Sequence, residues 1–285
     1  MIFRLNLTFW SVIAWVGVWV FSPCIAIGQT RTLFIDFNNA EREIQVFREN
    51  VPGRPSEVVV IPSYARITRA QRLSAREANE RMEANTVKVL ACATASRPNV
   101  DRCALAYLEI RRAEIERSAA TGAYSADDLK AELSALLARD TDKSFDTLVI
   151  SGHHETGYYS GELTQAKERE LAALLTESGV SQSQFKTVVL LGCGTGTRNA
   201  YAEYLVPLFP SAILIVGAED SAPTRDEARN LAFIRKLVSV RSVLLQVRTR
   251  QEVEPIYRSL LAERWPVSLL WRGRTLFMSR SIEPF

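Results

Sequence analysis

The chain has 285 residues, with 35 Lys+Arg against 32 Asp+Glu and a formal net charge of +3. Hydrophobic residues make up 47% and charged residues 24%, proportions of a globular protein that exclude disordered, collagenous and coiled-coil chains. A charge this near neutral gives no electrostatic case for nucleic-acid binding. The chain has two histidines and neither a CxxC pair nor an HExxH pattern, so no structural or protease-type zinc site is expected, and no cofactor.

Arg4 is the only charge before Arg31. A basic start, the apolar run LNLTFWSVIAWVGVWVF and a small-x-small end at Ala26 and Gly28 predict a secretory signal over residues 1–28, cleaved between Gly28 and Gln29. The alternative is an uncleaved membrane anchor at residues 5–21, a run of about 17 residues at the lower edge of what spans a bilayer. That segment is the only membrane contact expected. Cys24 lacks the small preceding residue of a lipoprotein, because Pro23 stands there. In either case the body, residues 29–285, is expected to be exported, periplasmic or secreted. Cleavage leaves Cys92, Cys103 and Cys193. In an oxidising compartment, cysteines close in sequence pair. Cys92 and Cys103 flank ATASRPNVDR, so they are expected to pin a helical hairpin, and Cys193 remains as the odd thiol.

TLFIDF (32–37) is an apolar, β-branched run that predicts a strand. Asn38 with Glu41 reads as a capping box for a helix over about 39–49, ended by Pro52-Gly53. EVVVIP (57–62) predicts a second strand. The charged stretch 66–139 reads as a helical insertion. Its Arg66, Arg69, Arg72, Arg76 and Arg81 alternate with Glu77, Glu80 and Glu83 and are expected on a solvated face. Its last helix opens at Ser125 and Asp128 and carries Leu129, Leu133, Leu136 and Leu137 on one side. DTLVIS (146–151) is a third strand, followed by a helix marked by Leu171, Leu174 and Leu175. KTVVLL (186–191) is a fourth, followed by a helix striped by Tyr201, Tyr204, Leu205 and Leu208. AILIVG (212–217) is a fifth. Thr224 and Glu227 read as a capping box for a helix with Leu231, Ile234 and Val238. SVLLQV (242–247) fits a strand or a helix. VSLLW (267–271) and TLFMS (275–279) flank Arg272-Gly273-Arg274 as a hairpin or a pair of edge strands. Strands apolar throughout, alternating with amphipathic helices, predict an α/β fold: a mostly parallel sheet with helices on both faces.

In such a sheet, ligands bind beyond the carboxyl ends of the strands. Those ends carry Asp36-Phe37-Asn38-Asn39, Ser151-Gly152-His153-His154, Gly192-Cys193-Gly194-Thr195-Gly196 and Gly217-Ala218-Glu219-Asp220. Both histidines sit at one tip and the odd cysteine at the next. Consecutive strands are commonly neighbours, which brings these side chains within reach. A histidine beside Cys193 would favour its thiolate and shuttle its proton. Gly157, Tyr158, Tyr159 and Gly161 suggest a flexible aromatic loop beside the cleft.

VLLGCGTGT looks like the glycine-rich first motif of S-adenosylmethionine-dependent methyltransferases, with Glu219 or Asp220 placed for the ribose. That motif normally opens its fold, with roughly 150 residues or more to follow, and here 89 residues follow Gly196. Leu190 and Leu191 also stand where an acid is usual.

A strand ending Ser-Gly-His, then about 40 residues, then a strand ending Gly-Cys resembles the caspase-like cysteine peptidases, which include caspases, metacaspases, gingipains, legumains and CHAT domains. The resemblance covers residues 32–62 and 146–236. It implies a caspase-like three-layer sandwich in which the histidine follows the third core strand and the cysteine the fourth. It also implies a peptide or protein substrate and hydrolysis by a Cys/His dyad. Cys193 matches the nucleophile and His153 the histidine. Backbone amides near Gly152 and Gly194 would hold the oxyanion. His154 departs from the family by standing where glycine is usual, which leaves both histidines as candidate bases. Asp36, Glu219 and Asp220 lie at strand ends suited to selecting Arg or Lys at P1. A catalytically inactive binding or scaffold protein on the same fold is the alternative.

Overall fold

β1 (Arg31–Asp36), β3 (Thr147–Ser151), β7 (Thr187–Leu191) and β8 (Leu214–Ala218) are buried at every residue, as strands covered on both faces must be. The computed structural model describes residues 31–49, 57–63, 67–95, 99–121, 125–139, 144–155, 157–220, 222, 228–261 and 266–284. The expected signal segment, Pro52-Gly53 and the Thr224/Glu227 capping box lie outside the described residues. So does Arg66.

These strands join β2 (Glu57–Ile61), β9 (Val267–Trp271), β10 (Thr275–Phe277) and β11 (Ile282–Pro284) in one eight-stranded sheet of order β11-β10-β9-β8-β7-β3-β1-β2. The five strands from β2 to β8 are parallel, with Ile35 opposite Ile61 and Ile150, Ser151 opposite Leu191, and Leu190 opposite Gly217. β9, β10 and β11 run antiparallel to their neighbours, so 267–279 is a hairpin.

Helices cover both faces. On one side α4 (Ala126–Arg139), α5 (Glu168–Glu177) and α6 (the helical run 198–208) bring Leu133, Leu171 and Tyr201 onto Leu148, Ile150 and Leu190. On the other, α1 (Glu41–Arg48), α7 (Ala228–Gln246) and α8 (Arg250–Leu261) bring Phe47, Ile234 and Tyr257 onto Phe34, Val149 and Val216. Strand alternation divides the sheet's side chains between these two cores. Residues 242–246 are thus helix. α8 escaped sequence reading because Arg250, Glu252, Glu254 and Arg258 surround its buried Val253, Tyr257 and Leu260. Pro255 inside it also argues against a helix.

Several local expectations need correcting. Asn38 does not cap α1, whose N-cap is Ala40 without a side-chain bond. The fully buried Asp36 takes that role, with its carboxylate accepting from the amides of Asn38 (2.9 Å) and Ala40 (3.0 Å). Asn39, at φ 58°, bends the chain between them. Arg72 and Arg76 are not on a solvated face. Arg76 donates to the Asn39 carbonyl (3.2 Å), and Asn39 donates to the Arg72 carbonyl (3.1 Å), seating the next helix on the start of α1. The Ser125/Asp128 capping box is present, with amide bonds in both directions (2.9 and 3.1 Å).

The 66–139 stretch has two parts. α4 belongs to the core. α2 (Arg69–Thr94) and α3 (Val100–Thr121) form an antiparallel hairpin that packs chiefly on itself. Thr68 and Gln71 cap α2 reciprocally. Cys92 and Cys103 are disulfide-bonded at the tip.

Behind the strand ends, Glu43 of α1 is buried and accepts from Ser151 Oγ (2.7 Å) and Asn230 Nδ2 (2.7 Å), joining β3 and α7. Removing a buried acceptor leaves both donors unsatisfied. Glu43→Ala is therefore expected to lower unfolding free energy by about 2–4 kcal/mol in urea titrations, and a loss under about 0.5 kcal/mol contradicts this role. Cys92→Ser/Cys103→Ser opens an 11-residue separation. It is expected to cost about 2–3 kcal/mol, read as a lower midpoint in thermal unfolding.

Candidate functional site

β3 and β7 are hydrogen-bonded neighbours, so the histidine-bearing and cysteine-bearing tips adjoin. The approach is close enough to need glycine. A Cβ on Gly192 would lie 2.8 Å from the Gly152 carbonyl oxygen and 2.9 Å from the His154 Cβ.

After β3 the chain enters a small antiparallel sheet of β4 (His153–Glu155), β5 (Tyr158–Ser160) and β6 (Gln165–Lys167). The aromatic stretch is therefore ordered, not a flexible loop. Tyr159 is buried, and the backbone of Gly161 lies against the Phe37 carbonyl. Residues in a strand alternate faces. Register pairs His154 with Tyr159, and Tyr159 with Ala166, on the buried face. His153, paired with Ser160, and Gln165 beyond it share the opposite face.

This alternation separates the two histidines. His153 is exposed. The His154 side chain is only 9% exposed and is held at both ring nitrogens. Nδ1 lies 2.9 Å from the Cys193 carbonyl oxygen, and Nε2 lies 2.6 Å from Glu168 Oε1. The Tyr159 ring packs at 4.7 Å from the imidazole. His154 thus grips the Cys193 backbone and not its thiol. Glu168, at the start of α5, was not visible as a site residue in the sequence, because nothing local to it marks a partner 14 residues upstream.

Cys193 is a free, half-buried thiol whose Sγ accepts from the Ala222 amide (3.3 Å). Gly194 follows at φ 65°, a left-handed conformation that glycine adopts without strain. Its amide donates to the Asp220 carbonyl (2.8 Å). Gly194 is therefore committed inside the protein and is not placed as an oxyanion donor. Thr195 Oγ1 donates to the Gly192 carbonyl (2.8 Å) and accepts from the Ala218 amide (3.2 Å). Gly196 packs on β8 and β9, where a Cβ would lie 2.4 Å from the Gly217 oxygen and 2.3 Å from Ser268 Oγ. The Ser268 hydroxyl bonds the Gly196 carbonyl (2.6 Å) and the Tyr201 hydroxyl (2.8 Å), and burial pushes the Tyr201 phenol well above its ordinary pKa. The turn that a methyltransferase would open to its cofactor is filled here by protein.

The three strand-end acids differ in situation. Asp36 is the buried cap of the turn into α1, which removes it from any cleft wall. Glu219 Oε2 accepts from Ser279 Oγ (2.7 Å), tying β8 to the end of the β10 hairpin. Asp220 is exposed, one hydrogen bond from the turn that follows Cys193.

A cleft of about 580 Å³ opens between the small sheet and the α3–α4 junction, lined by Arg117, Asp127, Tyr158, Ser160, Glu162 and Gln165 among others. Ser160 and Gln165 also belong to the His153 face of the small sheet. Among the described residues no group of three or more His, Cys, Asp or Glu side chains is arranged to hold a metal ion, and no helix is long and apolar enough to cross a membrane. Comparison with protein-family models, curated proteins and solved structures returned no match.

The bond from His154 to the Cys193 carbonyl has a direct test. The amide of an asparagine at 154 reaches the Nδ1 position and keeps the donor, whereas alanine loses it. His154→Ala is expected to destabilise by about 2–3 kcal/mol and His154→Asn to recover about 1 kcal/mol of that, measured by chemical denaturation. Equal losses in the two variants would contradict the bond.

Proposed function

We propose that the chain is a caspase-like cysteine peptidase with Cys193 as nucleophile and His153 as its proton carrier. The observation that carries this reading is the abutment of the β3 and β7 tips, with a free thiol on one and an exposed histidine on the other. The order also agrees with the resemblance, since the histidine follows the third strand of the parallel set and the cysteine the fourth. His154 occupies the family's glycine position and is used to hold the loop, while His153 stands at the family's histidine position after Ser151-Gly152.

In this mechanism the Cys193 thiol gives its proton to His153 and the sulfur attacks the peptide carbonyl carbon. The tetrahedral oxyanion is held by backbone N–H groups at the strand tips, with Gly152 the candidate that remains. His153 returns the proton to the leaving amine as the C–N bond breaks. A water, deprotonated by His153, then hydrolyses the thioester and restores the thiol. The polar cleft on the His153 face supplies a surface for a peptide substrate. Asp220, exposed beside the Cys193 turn, selects Arg or Lys at P1. This reading places the chain in an oxidising, exported location, where a Cys92–Cys103 pair would persist.

Alkylation of the folded chain at neutral pH, with the adduct mapped by mass, tests the dyad. Cys193 is expected to react at least tenfold faster than an unactivated thiol, and His153→Ala to abolish the advantage. A rate equal to the unactivated thiol in both proteins favours the inactive scaffold. Peptide profiling is expected to show Arg- and Lys-ended substrates cleaved ahead of Asp-ended ones, with Asp220→Asn erasing the preference. Equal turnover of all three would remove Asp220 from the specificity role.

A further inference from the structure

The α2–α3 hairpin carries eight of the ten exposed large apolar side chains among the described residues. α3 is apolar on two opposite sides. Ala106 and Ala113 are buried on one side, with Cys103 and Ile110 partly covered beside them. The other side presents Val100, Ala104, Tyr107, Leu108 and Ile115 to solvent, of which Val100, Tyr107 and Ile115 are 73%, 57% and 68% exposed. α2 adds Val87 (66%) and Leu90 (60%) at the level of the disulfide. A helix apolar on opposite faces is normally covered on both. We infer that the outer face of α3 is the interface of a two-fold dimer, in which the α3 helices of two copies of this chain pair antiparallel.

Three observations select a second copy as the occupant. The first is register. A two-fold axis requires residue i to meet j and j to meet i. Antiparallel pairing of α3 with itself about a point between Tyr107 and Leu108 sets Val100 against Ile115 of the second copy, and Tyr107 against its Leu108. The same register puts Arg111 over the small Ala104 of the second copy, within one helical turn of that copy's Asp101. The apolar positions match across the axis, and Arg111, which pairs with Glu114 of its own helix, falls opposite a small residue, so the face is complementary to itself.

The second is area. On that face Val100, Tyr107, Leu108 and Ile115 present on the order of 500 Å² per copy, so two copies reach about the 1,000 Å² in total that a specific interface must clear. The third is charge. Arg102, Glu109, Arg111 and Arg112 are all exposed along α3. Interleaved charges of both signs suit an antiparallel helix pair and disfavour burial in a lipid core. The disulfide at the tip holds α2 and α3 together, so each copy offers a preformed pair of helices.

The full chain, sized by light scattering at micromolar concentration, is expected to have twice the chain mass. Leu108→Glu is expected to raise the dissociation constant at least a hundredfold with unchanged far-ultraviolet circular dichroism. Val100→Cys/Ile115→Cys gives an independent readout. These positions are 15 residues apart on one helix, about 22 Å, well beyond the roughly 7 Å Cα separation that a disulfide spans. A 100–115 disulfide found by peptide mapping therefore joins two copies. A monomeric wild type overturns the proposal, as does a dimer that survives Leu108→Glu or the absence of the 100–115 link. A monomer that instead binds phosphatidylcholine–phosphatidylglycerol vesicles through the hairpin overturns it in favour of a membrane surface.

Discussion

The candidate site depends on the contact between two strand ends. β3 and β7 emerge from the sheet side by side, and Gly192 fits against the Gly152 carbonyl and His154 Cβ only because it has no side chain. With the tips this close, the imidazole of His154 reaches the Cys193 carbonyl. A larger residue at 192 would push the cysteine loop away from the histidine strand. The spacing of the two strand tips is thus set by main-chain packing, and the side chains they carry follow from it.

That packing is backed by buried polar groups on each side. Glu43 takes hydrogen bonds from Ser151 and Asn230 beneath the histidine strand, so the residue just before Gly152 is fixed from the opposite helical layer. Under the cysteine loop, Tyr201 and Ser268 fix Gly196, while Thr195 ties the loop to Gly192 and Ala218. Buried hydrogen bonds of this kind favour one arrangement, since breaking them leaves a buried donor or acceptor unpaired. The result is a cysteine turn braced from β7, β8 and β9 together, with the thiol itself left half-buried.

Hydrophobic runs such as TLVIS and LIVGA made the parallel strands legible, because strands buried on both faces have little choice of residue. The adjacency of the strand tips that carry the two histidines and Cys193 was legible as well, since it needed only strand ends and neighbouring strands. Which histidine does what was not. His153 and His154 are chemically identical, and only the pairing of His154 with Tyr159 in β4–β5 turns one inward and the other outward. The small sheet was itself hidden, because its strands are three residues each and too short for periodicity to register. Asp36 read as a specificity acid because its carboxylate bonds to the amides of Asn38 and Ala40 depend on a left-handed Asn39 that no local pattern announces. Glu168 and Glu43 were out of reach for the same kind of reason. Their partners lie on other elements, and the relation exists only once the sheet has formed.

The Gly-Cys-Gly-Thr-Gly run shows why a motif's spelling does not fix its chemistry. In a nucleotide-binding turn, glycines share one purpose, which is to let a ligand approach the backbone. Here the three have separate purposes. Gly192 admits the neighbouring strand tip, Gly194 supplies a left-handed turn that points its amide at Asp220, and Gly196 lets the loop lie on Gly217 and Ser268. Gly192 and Gly196 are thus closed over by the chain itself, where a nucleotide-binding turn would leave them open. What the run leaves partly open is Cys193 with Gly194 beside it. The same letters that suggest a cofactor site serve here to seat one cysteine at a strand end between two closely packed glycines.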